Sequence, residues 1–177
     1  MGDNEKLMRK CQQKSRKAFE ELYRKFSPFV YGICLRYAKN RDEAQDILQE
    51  CFIKVMERIG EFRFEGSFEG WLQRMVVNES LNYLKVNKNS FSEIDEEDAD
   101  AEDVAADIVS DMTAKELLDV ISRLPDGYRT IFNLYVIEGY QHNEIAEILN
   151  ITESTSRSQL KKAREQLIDI IRNEFKR

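Results

Sequence analysis

Between Asn89 and Asp111 the chain reads NSFSEIDEEDADAEDVAADIVSD, with ten carboxylates and not one lysine or arginine. No other stretch constrains the fold as strongly. Like charges at this density repel, and the few apolar side chains among them cannot offset the entropy of ordering the segment. The segment is expected to be an acidic flexible linker, so any core must form in two separate blocks, 1–88 and 112–177.

Both blocks read as helical. Proline occurs twice and glycine seven times in 177 residues, whereas Leu, Ile, Glu, Lys and Arg are abundant. That usage favours an all-α chain of two small domains. No apolar run is long enough to span a bilayer and the N-terminus carries no signal-peptide pattern, so a cytoplasmic protein without membrane insertion is expected. Cys11, Cys34 and Cys51 form no CxxC pair and read as buried or inert thiols. A single histidine, His142, leaves little material for a zinc site or a histidine-based catalytic centre. With no phosphate loop or nucleophile–base set, the chain is not expected to be an enzyme or to need a cofactor. The net charge of −6 conceals an asymmetry: residues 1–88 hold 17 Lys/Arg against 13 Asp/Glu, and from Glu153 onward the count is 7 against 4.

In the first block Phe19, Leu22, Tyr23, Phe26, Val30, Ile33, Cys34 and Tyr37 recur at helical spacing, with Pro28 expected to kink or interrupt the element. Asn40 and Glu43 form a capping box ahead of a helix whose apolar face is Ile47, Leu48, Cys51, Phe52, Val55, Met56 and Ile59, ending near Gly60. The loop EFRFEGSFEG (61–70) leads to a third helix with Trp71, Leu72, Met75, Val76, Tyr83 and Leu84 on one face. Arg74, Asn78, Asn82 and Lys85 lie on the other.

In the second block Thr113 and Glu116 cap a helix that Pro125 stops, and Ile131 to Tyr135 form another that closes near Gly139. A third contains Ile145, Ala146 and Leu149. Asn150 suits a left-handed turn, and Thr152 caps a fourth helix with Ser156, Leu160, Ala163 and Leu167 facing inward. The last two helices have helix-turn-helix spacing, in which the second helix enters the DNA major groove. Its outward residues are then Arg157, Ser158, Lys161 and Lys162. Arginine can read guanine through two hydrogen bonds, while lysine and hydroxyl groups suit phosphates. The same residues would also serve as a solvated basic face; the tight turn, the short preceding helix and the cap in register favour DNA.

LPDGYRTIFNLYVIEGYQHNEIAEILNITESTSRSQLKKAREQL (124–167) resembles region 4 of the bacterial sigma-70 family, in its extracytoplasmic-function group. DEAQDILQECFIKVM (42–56) resembles the core-binding helix of region 2, and FRFEGSFEGWLQRMVVNESLNYLK (62–85) its promoter-opening segment. The resemblance implies a sigma factor that binds core RNA polymerase and directs promoter-specific initiation. Asp46, Gln49, Glu50 and Phe52 would meet the clamp coiled coil of the largest subunit, although Phe52 fits a core position better and the polar three would also suit a solvated face. Arg63, Phe64, Phe68, Trp71, Arg74, Asn78 and Lys85 would capture the minus-ten element. Single-strand capture needs cations, aromatic faces and a pocket for an unstacked base. Phe64 and Phe68 are hard to explain as core in so polar a loop, whereas Trp71 suits core anchor and stacking platform alike. Region 4 would read the minus-thirty-five duplex through Arg157, Ser158, Lys161 and Lys162 and contact the flap of the second-largest subunit. The acidic linker would pass near the RNA exit path or act as a solubilising spacer. An anti-sigma factor is a further expected partner.

Ser154, Ser156, Gln159 and Asn150 depart from the commonest pattern of that group. Ser156 replaces an apolar residue, and its hydroxyl is expected to bond back to its own helix. Gln159 stands where many members have arginine, so promoter preference cannot be copied from them. The alternative function is a sigma-like mimic that sequesters an anti-sigma factor without binding DNA. Such a mimic should lack the basic helix and the opening loop, and both are present.

Overall fold

A computed structural model describes residues 2–87 and 113–174. They are helical with no strand among them, as expected, and fall into two compact units divided between Asn87 and Lys88. The expected linker, 89–111, lies outside the described residues.

The first unit contains α1 (Asp3–Gln12), α2 (Arg16–Tyr37), α3 (Arg41–Arg58), a single 3-10 turn (Ile59–Glu61) and α4 (Phe68–Asn87). α2, α3 and α4 pack pairwise, and α1 lies across α2 and the 3-10 turn. Leu22, Val30, Cys34 and Tyr37 of α2 interlock with Ala44, Ile47, Cys51 and Val55 of α3 and with Leu72, Val76 and Leu84 of α4, all buried. The caps follow from the sequence: Asn40 Oδ1 accepts from the Glu43 amide at 2.8 Å, and Glu43 reaches back to the Lys39 amide at 2.9 Å.

Three expectations change here. α2 runs unbroken through Pro28. An internal proline costs about 3 kcal/mol, but burial continues on both sides of it, at Leu22, Phe26, Val30 and Ile33, and holds the helix together. Met56 is 56% exposed rather than part of the α3 core face. Phe68 is not a loop residue; it opens α4 and is buried against Phe26 and Phe62, with ring centroids 5.1 and 5.4 Å away. The three thiols are free and buried, as expected. Burial pushes Cys11 up to about 11. A hydrogen bond with Cys34, together with burial, pushes Cys51 far above the ordinary thiol range, which disfavours reactive thiolates.

The second unit contains α5 (Ala114–Ser122), α6 (Asp126–Phe132) continuing into a π turn (Asn133–Ile137), α7 (His142–Leu149) and α8 (Glu153–Glu174). The Thr113–Glu116 capping box forms as read, with the Thr113 amide donating to Glu116 at 2.9 Å. The second helix of this block starts earlier than its apolar residues suggest, directly behind Pro125, because proline fits a helix start. It unwinds through wide turns, Glu138 N to Asn133 O and Tyr140 N to Leu134 O, both 2.9 Å, and ends at Gly139, whose φ is 79°. Ile121, Leu124, Ile131, Leu134, Ile145, Leu149, Leu160 and Ala163 form the core. Arg129 is buried among them, which no periodicity argument anticipates. Its guanidinium donates to Ser122 O at 3.2 Å, Leu124 O at 3.0 Å and Asp126 Oδ1 at 2.6 Å.

Candidate nucleic-acid and protein interfaces

The loop between the 3-10 turn and α4 is shaped by backbone geometry. Phe64 has φ 61° and Gly66 φ 124°, both in the left-handed range. Ser67 then caps α4, its Oγ accepting from the Gly70 amide at 3.0 Å. A Cβ on Gly70 would lie 3.0 Å from that oxygen, so glycine leaves the cap its space. Phe62 anchors the loop, with ring centroids 4.8 Å from Phe64 and 5.7 Å from Trp71. Phe64 and Trp71 are half-buried and keep part of each ring accessible, unlike Phe68. A pocket of about 270 Å³ opens beside them, lined by Arg63, Ser67, Trp71 and Arg74 among others. Glu61 and Glu65 also line it, so the guanidiniums of Arg63 and Arg74 meet two carboxylates there, of which Glu61 is paired with Arg58 at 2.7 Å. Arg74, Asn78, Asn82 and Lys85 form an exposed strip leading away along α4, as their spacing predicts.

On α3 the polar residues Asp46, Gln49 and Glu50 are exposed, while Phe52 is buried and its ring lies 4.6 Å from Tyr23. Phe52 therefore serves the core. Sequence reasoning missed the apolar surface that continues this face. Ile53 is 48% and Tyr23 45% exposed, and with Met56 they sit beside a broad depression of about 710 Å³ that Tyr23 and Met56 line with Phe19, Lys14 and Arg16. The signal was available: 46, 49, 50, 53 and 56 fall on one side of a helix at 3.6 residues per turn. It was hidden because a long apolar stripe reads as core all round.

In the second unit α7 and α8 join through Asn150 at φ 56° and ψ 50°, and Thr152 Oγ1 accepts from the Thr155 amide at 3.0 Å. Both turn assignments match the sequence. Arg157 is exposed and paired with Glu153 at 2.7 Å; Lys161 and Lys162 are half-exposed. Ser158 does not face outward. It is buried with its Oγ donating to Thr155 O at 3.1 Å, and Gln159 beside it is buried too. α8 packs against α5, α6 and α7 together, so its buried arc is wider than the stripe of one amphipathic contact. Ser156 faces inward, as its position predicts, and is fully buried. Its hydroxyl meets His142 Nδ1 of α7 at 2.8 Å instead of its own helix, and the His142 ring stacks on Tyr135 at 4.5 Å. A polar clasp thus ties the two helices of the motif at the position where an apolar contact is missing.

Burial, then the nearby Arg157 and Arg164 charges, lower the His142 pKa below its ordinary 6.5, against an opposing contribution from Glu153. Folding therefore favours the neutral ring. Its contribution is full above about pH 6.5 and is lost as pH falls through the lowered value. Thermal melts should show the wild-type protein losing stability more steeply between about pH 7 and 5 than His142→Gln, which cannot titrate.

Among the described residues no group of three or more His, Cys, Asp or Glu could hold a metal ion, and no helix is long and apolar enough to cross a membrane. Residues 22–90 match the family described as Sigma-70 region 2, and residues 114–167 match Sigma-70, region 4. The ECF RNA polymerase sigma-E factor of Haemophilus influenzae is 34% identical over 173 residues, covering 91% of each chain. The ECF RNA polymerase sigma factor SigW of Bacillus subtilis is 30% identical over 175 residues, covering 92% of this chain and 93% of the relative. In fold, the sigma factor RpoE of Bartonella quintana, solved in complex with the anti-sigma factor NepR, aligns over 89% of this chain and 99% of its own with TM-score 0.51 and 15% identity. The chain belongs to the extracytoplasmic-function group of RNA polymerase sigma factors.

Proposed function

We propose that this chain binds core RNA polymerase and confers promoter selection on it, acting by binding and not by catalysis. Residues 1–88 act as region 2 and 112–177 as region 4, with 89–111 as the connector. α3 docks on the clamp coiled coil through Asp46, Gln49 and Glu50, extended by Ile53, Met56 and Tyr23, with Phe52 supporting that surface from beneath. An apolar centre with a charged rim is the usual anatomy of such an interface.

The observation that carries the reading is the pocket beside Trp71. It combines the half-buried Trp71 ring, the edge of Phe62, two arginines and a cavity at the head of a polar strip. Capture of an unstacked base draws on this combination. Trp71, Arg63 and Arg74 receive the minus-ten base, Phe64 offers its ring on the other side of the loop, and Asn78 and Lys85 guide the strand, while Phe68 holds the loop from the core side. Arg157, Lys161 and Lys162 read and position the minus-thirty-five duplex, Ser158 fixing the helix and not the DNA. Region 4 also contacts the polymerase flap. Each domain can bind weakly, because attachment to one polymerase raises the effective concentration of the other. An anti-sigma factor would act by covering these faces.

Run-off transcription with core polymerase on a randomised promoter library tests the proposal, and selective initiation is the expected outcome. Failure to select, from a folded protein, would leave the mimic as the better reading. In the same assay Arg157→Ala should relax preference at one upstream position by about 1–3 kcal/mol. Lys162→Ala should instead weaken binding on all sequences and reduce its salt dependence.

A further inference from the structure

The minus-ten loop is flanked by open space on both sides. Beyond the pocket at Trp71, a second cleft of about 370 Å³ separates the loop from α1, lined by Asn4, Glu5, Met8, Phe64, Gly66 and Phe68 among others. A segment with clefts on two faces is not held by packing alone; its position depends on discrete contacts. Those contacts come from α1, which precedes the stretch matched to Sigma-70 region 2.

Three residues of α1 follow the loop from entry to exit. Gln12 Nε2 donates to Ile59 O at 3.0 Å and to Phe62 O at 2.9 Å, clamping both sides of the turn from which the loop departs. One turn back, the Arg9 guanidinium lies 4.4 Å from the centroid of the Phe64 ring and is itself held by Glu5 at 2.8 Å. Asn4 Nδ2 approaches Glu69 at 3.4 Å in the first turn of α4. Phe64 is the residue that most needs such support, because a bulky side chain at φ 61° is strained.

We infer that α1 sets the position of the base-capturing loop, with Gln12 as the positioning residue and Arg9 as its second support. The inference rests on the minus-ten reading proposed above. Gln12 acts from behind the loop: its amide fixes the carbonyls of Ile59 and Phe62, and Phe62 packs against the rings of Phe64 and Trp71. Displacement of Phe62 would therefore alter pocket shape while leaving α3 and the helix-turn-helix untouched.

Trp71 is the only tryptophan, so its emission reports on the loop in the full-length protein without any ligand. Gln12→Ala should shift that emission to the red and raise its quenching by acrylamide, with helical circular dichroism retained. Gln12→Glu keeps the size but offers carboxylate oxygens to two carbonyls, so it should behave no better than Gln12→Ala; a packing role would predict wild-type behaviour. With core polymerase on the randomised library, both variants should lose about tenfold of the minus-ten base preference, the scale of one to two hydrogen bonds. Minus-thirty-five preference and polymerase affinity should stay at wild-type values. Arg9→Ala, at a largely exposed side chain, should give a smaller loss at the same positions and guards against misfolding of the Gln12 variants. Unchanged Trp71 emission, or equal loss at every promoter position, would overturn the inference. A wild-type protein that selects no promoter would overturn the minus-ten reading itself, and this inference with it.

Discussion

Ile53→Glu is expected to leave the first unit folded while lowering its affinity for core polymerase about a hundredfold or more, the scale of losing a central interface anchor. Ile53 is 48% exposed, so a carboxylate there stays hydrated in the free protein and costs little stability. In a complex it would be desolvated against an apolar partner surface. Lys54, its neighbour in the chain, is paired with Glu57 at 3.0 Å. Gel filtration or fluorescence titration with core polymerase reads the affinity, and circular dichroism reads the fold. Val55→Glu provides the contrast: that position is fully buried, so the same charge should unfold the unit. If Ile53→Glu bound as wild type, the apolar surface beside Asp46, Gln49 and Glu50 would lie outside the interface.

Arg129→Met should unfold the second unit and leave the first intact. The side chain is 1% exposed, and its donors satisfy the last carbonyl of α5, a carbonyl of the connecting turn and the Asp126 carboxylate at the start of α6. Those carbonyls have no intrahelical partner of their own. Removing the cation takes these three hydrogen bonds from a buried site, the 2.6 Å ion pair with Asp126 among them, a loss of about 3–5 kcal/mol. A small domain holds about 5–15 kcal/mol in all, and one of this size sits near the lower end. Hydrogen exchange should show protection lost across α5 to α8 and kept across α2 to α4. Transcription should fail on promoters that need the upstream element. Uniform protection in the variant would mean that methionine repacks the site and that the arginine network contributes little.

Much of this protein is legible without coordinates. Asn40, Thr113 and Thr152 cap the helices they were expected to cap, and Asn150 adopts the left-handed turn between α7 and α8. Local hydrogen bonds and a single residue's dihedral preference decide these features, and both act within four residues. The exposed strip of Arg74, Asn78, Asn82 and Lys85 follows from helical period alone. The errors share a different origin. Met56 and Ser158 were placed by the stripe of their own helix and Phe68 by the polar loop around it, yet burial depends on which distant elements surround each side chain. Phe68 lies where α2, α4 and the loop converge; Ser158 is buried on a helix that packs on three others; Met56 opens onto a depression that it shares with α2.

Sequence by itself therefore determined the helical class, the division at the acidic segment, the caps and turns, and the family to which the two halves belong. Tertiary structure alone decided which side chains are available for contact. It buried Arg129 and Ser158, exposed Ile53 and Met56, turned Ser156 toward His142 and laid α1 along the loop that precedes α4. Capping and periodicity are short-range and written in neighbouring residues. Burial and the Gln12 clamp, 47 and 50 residues from its acceptors, depend on distant segments meeting, which only the folded packing fixes.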